Sequence, residues 1–315
     1  MDIQTNYGKL MACTREEYYH NGTLAGCILQ EKNTIKTTVG DLVPQYHYDD
    51  LRRKYINSLS FYESGDLKNI SLEKSTEIQT SIGKFPAEFI TFYPTGAIKR
   101  IFPLNGRLSG YWSENQESEL AIPFDFNFVF AKFTAKIISL HFYETGKLSS
   151  LTLHPNEVIQ LTTPFGNISV KTGFSLDQYG NINSLEPAKP TPIATPIGKI
   201  HAFDPQSIGI HADRNSLEFS ETGDIVSIKT TDQIIITTKD TVDFIKPIEK
   251  MNPLDDNDTI ILPLTLTFTN TEIILTNSTD HRYPLSDSKF KIITKIPTEP
   301  TGCTSGDCSS CSQCI

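Results

Sequence analysis

Leu59-Ser60-Phe61-Tyr62-Glu63-Ser64-Gly65-Asp66-Leu67-Lys68-Asn69-Ile70 reads as two strands joined by a turn. Apolar and aromatic residues run into a polar pair, then a glycine, then a second apolar stretch. A glycine after two polar turn residues suits a type I turn closed by a left-handed residue, a conformation in which a Cβ meets steric cost. The central phrase, F-Y-x-x-G-x-L, returns as Tyr18-Tyr19-His20-Asn21-Gly22-Thr23-Leu24, Phe92-Tyr93-Pro94-Thr95-Gly96-Ala97-Ile98 and Phe142-Tyr143-Glu144-Thr145-Gly146-Lys147-Leu148. Looser copies centre on Gly106, Gly180 and Gly223. An internal repeat of this kind marks one supersecondary unit copied and stacked.

Between the hairpins stands a second phrase, T-x-x-G, at Thr37-Thr38-Val39-Gly40, Thr80-Ser81-Ile82-Gly83, Thr163-Pro164-Phe165-Gly166 and Thr195-Pro196-Ile197-Gly198. Its glycine lies 18 residues after the first in three units (22 to 40, 65 to 83, 180 to 198) and 20 after it from 146 to 166. Two turns at nearly constant separation imply a two-hairpin unit with strands of about 5 to 8 residues. The sequence therefore predicts an all-β fold: repeated β-hairpins in an elongated meandering sheet or a β-solenoid-like stack, with a flexible Cys-rich tail. The repeat region spans 1–231. A β capping segment over 232–298 would hide the last apolar face and edge, with Ile234-Ile235-Ile236 and Leu264-Thr265-Leu266-Thr267-Phe268 among its strands. The tail is 299–315.

Together with Asn105-Gly106-Arg107-Leu108-Ser109-Gly110-Tyr111-Trp112, these phrases resemble the variant MORN repeats of bacterial antitoxin-type repeat proteins. The resemblance covers roughly residues 16 to 230. It implies an elongated sheet that presents a surface to a protein partner. Successive clear copies here are 31 to 50 residues apart (65 to 96, 96 to 146), wider than in that family, which leaves room for an additional hairpin in each unit.

The 315 residues carry a net charge of −9, from 28 basic against 37 acidic side chains, and no basic run exceeds Arg52-Arg53-Lys54. That balance speaks against a nucleic-acid partner. No run of about 18 apolar residues occurs, so no membrane span is expected, and the absence of an apolar leader at the start makes the cytoplasm the expected location. Glycosylation-like triplets at Asn21, Asn69, Asn167, Asn257 and Asn277 are then turn chemistry. Rows of tyrosine and phenylalanine at the hairpin ends are mainly core; any that face outward would suit a protein partner.

Chemistry concentrates at the end. Cys303, Cys308, Cys311 and Cys314 are spaced C-x4-C-x2-C-x2-C among small and polar residues. Four thiolates favour a soft metal: zinc, copper(I) or an iron-sulfur cluster. The spacing matches neither ferredoxin pattern in full and is tight for two zinc knuckles, so a transfer site, a permanent site, thiol exchange and an inert Ser/Cys tail all stay open. Cys13 and Cys27 flank the first hairpin on opposite strands and read as core residues.

Catalytic signals are weak. G-x-S-x-G, H-E-x-x-H, a phosphate-binding loop and a dinucleotide fingerprint are all missing. Ser71-Leu72-Glu73-Lys74 with Lys171-Thr172-Gly173 matches two of three β-lactamase phrases, but it falls in a strand pattern. Leu254-Asp255-Asp256-Asn257-Asp258 lacks the glycine and glutamate of a calcium loop. A hydrolase would have to use His201, His211, Asp204 and Asp213. The leading expectation is a non-enzymatic scaffold or adaptor whose tail holds metal; metal or cluster delivery, or thiol redox, is the alternative.

Overall fold

Each F-Y-x-x-G-x-L phrase closes its hairpin in the same way. Tyr62 N–H donates to Asp66 O (2.8 Å) and Gly65 N–H to Tyr62 O (2.9 Å). The same pair of bonds recurs at Tyr19, Tyr93, Tyr143, Asp177 and Ser220. The six turn glycines sit at φ +83° to +90°. The computed structural model describes residues 1–48, 51–207, 211–252 and 255–294, and for 255–258 the backbone alone. Among them are twenty-eight strands and one helix, so the protein is nearly all β.

The two aromatic residues of the phrase divide their labour. Phe61, Phe92 and Phe142 are buried in the core. The tyrosine beside each reaches sideways into the next unit. Tyr19 Oη donates to Phe61 O (2.8 Å), Tyr62 to Phe92 O (2.8 Å), Tyr93 to Phe142 O (2.9 Å) and Tyr143 to Leu176 O (2.7 Å). Each bond contributes about 0.5–1.5 kcal/mol and fixes the offset between neighbours. The relay ends where Asp177 and Ser220 take the tyrosine's place.

The hairpins join into one antiparallel meander of fifteen strands, from Cys13–Tyr18 to Asp280–Pro284. No pairing joins those two end strands among the described residues. Because side chains alternate across a strand, one line of register is wholly apolar. Cys27, Leu59, Ile70, Ile90, Ile101, Leu140, Leu151, Phe174, Leu185, Leu217, Ile228, Leu266 and Leu275 follow one another across thirteen strands. All thirteen are 0% exposed. The neighbouring line is polar: Ser60, Asn69, Thr91, Arg100, His141, Ser150, Ser175, Ser184, Glu218, Ser227 and Thr267.

T-x-x-G phrases close the second hairpins. In each, the Thr Oγ1 donates to the Gly carbonyl and accepts from the N–H two residues on, at Thr37, Thr80, Thr163 and Thr195. Thr5-Asn6-Tyr7-Gly8 makes the same two bonds and is a fifth copy. The hairpins of Thr5 and Thr37 stand as separate two-stranded sheets, whereas those of Thr80 and Thr163 are continuous with main strands. Leu67–Thr80 pairs with Gly83–Phe92 along both, with a register break between Ser71 and Thr76. At Gly173 (φ +134°) an added Cβ would lie 1.9 Å from Leu151 O, so the strand can swing back into the main sheet only over a glycine.

One repeat reads differently from its sequence. Gly106 is not a hairpin turn, because the segment after Ile98–Phe102 leaves the sheet and enters the helix Glu114–Leu120. Ser113 and Gln116 form a reciprocal capping box there, a helix-start signal that outweighs the glycine resemblance. Arg52 anchors the excursion, holding Glu117 (2.6 and 2.7 Å) and Glu88 (2.8 and 3.1 Å) in two bidentate pairs.

Beyond residue 231 the main sheet continues through Leu264–Phe268, Glu272–Thr276 and Asp280–Pro284. Gln233–Thr237 forms a separate three-stranded sheet with Val242–Ile245 and Lys289–Ile293. Among the described residues, no helix is long and apolar enough to cross a membrane.

Candidate functional site

The polar line meets a covering loop at its centre. Arg100, His141 and Ser150 lie on three adjacent strands, and Asp213 comes down on them from the segment before Leu217–Phe219. Asp213 Oδ2 takes Arg100 Nη2 at 2.6 Å, while Oδ1 takes Ser150 Oγ at 2.5 Å and lies 3.1 Å from His141 Nδ1. Arg100 also donates to Ser139 Oγ (3.0 Å). The loop is tied on either side by Ala212 N–H to Thr152 Oγ1 (3.1 Å) and Asn215 Nδ2 to Ser184 Oγ (2.7 Å).

Burial works to raise the Asp213 pKa, yet hydrogen bonds from His141 and Ser150 and the charge of Arg100 hold it well below the usual carboxylate range. The group is an anion at neutral pH. Ser150 spends its proton on that carboxylate and makes no bond to the imidazole, so nucleophile and base are not in line. His141 Nε2 is buried and has no hydrogen-bond partner among the described residues. The centre is built to seat a loop.

The four residues named for a hydrolase do not assemble. His201 turns to Asp232, 3.1 Å from Nδ1 to Oδ2, and its N–H donates to the same oxygen (2.8 Å). Asp204 accepts from Lys229 Nζ at 3.1 Å. Asp213 belongs to the Arg100 centre, and His211 is exposed, two residues before it. Ser71 and Glu73 lie inside the strand Leu67–Thr80, where Glu73 accepts from the Tyr46 and His47 N–H groups. Leu254 lies outside the described residues, and Asp255–Leu262 is a strand.

Cys13 and Cys27 are fully buried with Sγ atoms 3.8 Å apart. The neighbouring thiol and burial push Cys27 upward, so it stays protonated. No group of three His, Cys, Asp or Glu side chains poised for a metal occurs among the described residues. Cys303, Cys308, Cys311 and Cys314 lie outside them.

Arg100, His141 and Ser150 escape a motif search but follow from the turns. Four residues after five of the six turn glycines stand Asn69, Arg100, Ser150, Ser184 and Ser227; five before stand Ser60, Thr91, His141, Ser175 and Glu218. Aligning the copies on the glycine reveals the polar line. The arrival of Asp213 on it carries no such signal. No family model, curated protein or solved structure matches the chain.

Proposed function

We propose that this protein is a non-enzymatic binding scaffold, a β-repeat body that presents surface to a protein partner and carries a soft-metal or iron-sulfur site on its C-terminal cysteines. The observation that supports the body's role is that five of its buried or half-buried charged groups are engaged in holding loops: Asp213 seats one on Arg100, and Glu88 and Glu117 fix another through Arg52. Cys303, Cys308, Cys311 and Cys314 are the ligands, since four thiols within twelve residues form a donor set that suits zinc, copper(I) or a cluster. The MORN-like surface and a cytoplasmic setting belong to the same reading.

Cobalt(II) titration of the reduced full-length chain tests it. A thiolate-to-cobalt charge-transfer band that saturates at one equivalent is expected, and it should be absent when all four cysteines are serine. A band of equal strength in that variant would overturn the assignment.

A further inference from the structure

The polar line is covered at its centre and open at its start. There, between the first hairpin and the segments around Tyr55 and Arg107, lies a cleft of about 530 Å³, of the size that holds a small molecule. Gly26 occupies the position that carries Asn69, Arg100 or Ser150 in other units. A Cβ at Gly26 would meet Asn57 Nδ2 at 2.6 Å, so the missing side chain makes room for Asn57, which lines the cleft.

Two arginines line this cleft, and both rest on aromatic rings. The Arg107 guanidinium lies 3.9 Å from the Phe89 ring centroid and that of Arg15 lies 4.7 Å from Tyr55. Arg52, Arg53, Arg100 and Arg282 each face a carboxylate. Neither Arg107 nor Arg15 makes a side-chain hydrogen bond or ion pair to any described residue. Burial alone pulls the Arg107 pKa below its ordinary value, the signature of a cation without its counter-ion. Arg15 holds a left-handed φ of +51°, an uncommon conformation for a residue with a side chain, inside a register break of its strand.

The rest of the cleft sets the ligand's character. Glu17 already accepts from Asn57 Nδ2 (3.0 Å), leaving two guanidinium charges against one carboxylate. Ile28, Ile56 and the Tyr55 ring supply an apolar wall. Tyr55 is fixed by Gln30 Nε2 at its hydroxyl (2.9 Å) and edge-on by Tyr48 (4.6 Å).

We infer that this cleft binds a small molecule with an apolar body and a singly charged carboxylate, the body against Ile28, Ile56 and Tyr55 and the carboxylate forked on Arg107 with Arg15 beside it. A guanidinium offers two parallel N–H donors that match a carboxylate's two oxygens, and the aromatic rings beneath leave those edges free.

The probes are 4-phenylbutyrate and its uncharged analogue 4-phenylbutanol, titrated calorimetrically into the full-length protein at fixed ionic strength. The acid should bind one to one and at least tenfold more tightly than the alcohol. Arg107→Met should weaken the acid at least tenfold while lowering the melting temperature by no more than a few degrees, because the guanidinium makes no hydrogen bond or ion pair to a described residue and a methionine still packs on the Phe89 ring. Arg15→Gln, at the cleft mouth, provides a second variant and should weaken it severalfold. Equal binding of acid and alcohol, no binding up to millimolar acid, or unchanged affinity in both variants would overturn the assignment.

Discussion

Asp213 shows how a single carboxylate ties the stability of this fold to pH. Its pKa is depressed in the folded chain, so its contribution is fully present above the ordinary aspartate value near 3.9 and is lost as pH falls below it. Asp213→Asn removes the charge opposite Arg100, which is 7% exposed, and leaves its guanidinium to donate to a neutral amide oxygen, a weaker acceptor. Asp213 is itself 38% exposed at its side chain, so solvent screening limits the loss to about 1–3 kcal/mol at pH 7. Urea denaturation at pH 7 and pH 3 should show the gap between wild type and variant narrowing at pH 3. A gap that is constant or widens would mean that the carboxylate does not seat the loop. The tyrosine relay works at the same scale, because the residue beside each buried Phe is the one whose hydroxyl reaches the next unit's carbonyl.

At the scale of the element, turn chemistry makes the hairpins. Gly146 has φ +83° and open space around the position of a Cβ, so a side chain there costs backbone strain alone. Gly146→Val should cost about 1–3 kcal/mol. Gly110, also in open space but without a left-handed φ, should tolerate valine within about 0.5 kcal/mol. Thermal melting of the two variants decides: equal melting temperatures would remove the left-handed turn from the account. Six hairpins were legible in advance because one left-handed glycine and two backbone bonds a few residues long fix each turn. Gly106 misled for the same reason, since a turn phrase without a second strand of matching pattern does not pair; Ser113 and Gln116 carried the better local signal. The pairing of Asp213 with Arg100, 113 residues apart, depends on how a loop folds across three strands, and no local pattern encodes that.

Across the whole molecule, period-two alternation propagated over fifteen strands separates an apolar line that makes the core from a polar line that makes the sites. A long sheet leaves two edges, and both are guarded. Cys13–Tyr18 carries Arg15, Glu16 and Glu17 and a left-handed kink, and Asp280–Pro284 carries charges and a proline. These features discourage edge-to-edge pairing of copies. The core row is complete without the last residues of the chain, so the body should fold without them, and the cysteines there should supply what the body does not. The most direct test is to purify the full chain and a chain lacking 303–315 anaerobically, and to measure metal, inorganic sulfide and melting temperature in both. The account predicts equal melting and β-rich circular dichroism, with zinc, copper or iron bound only by the full chain. Full metal occupancy in the truncated chain, or no metal in either after anaerobic reconstitution, would contradict it.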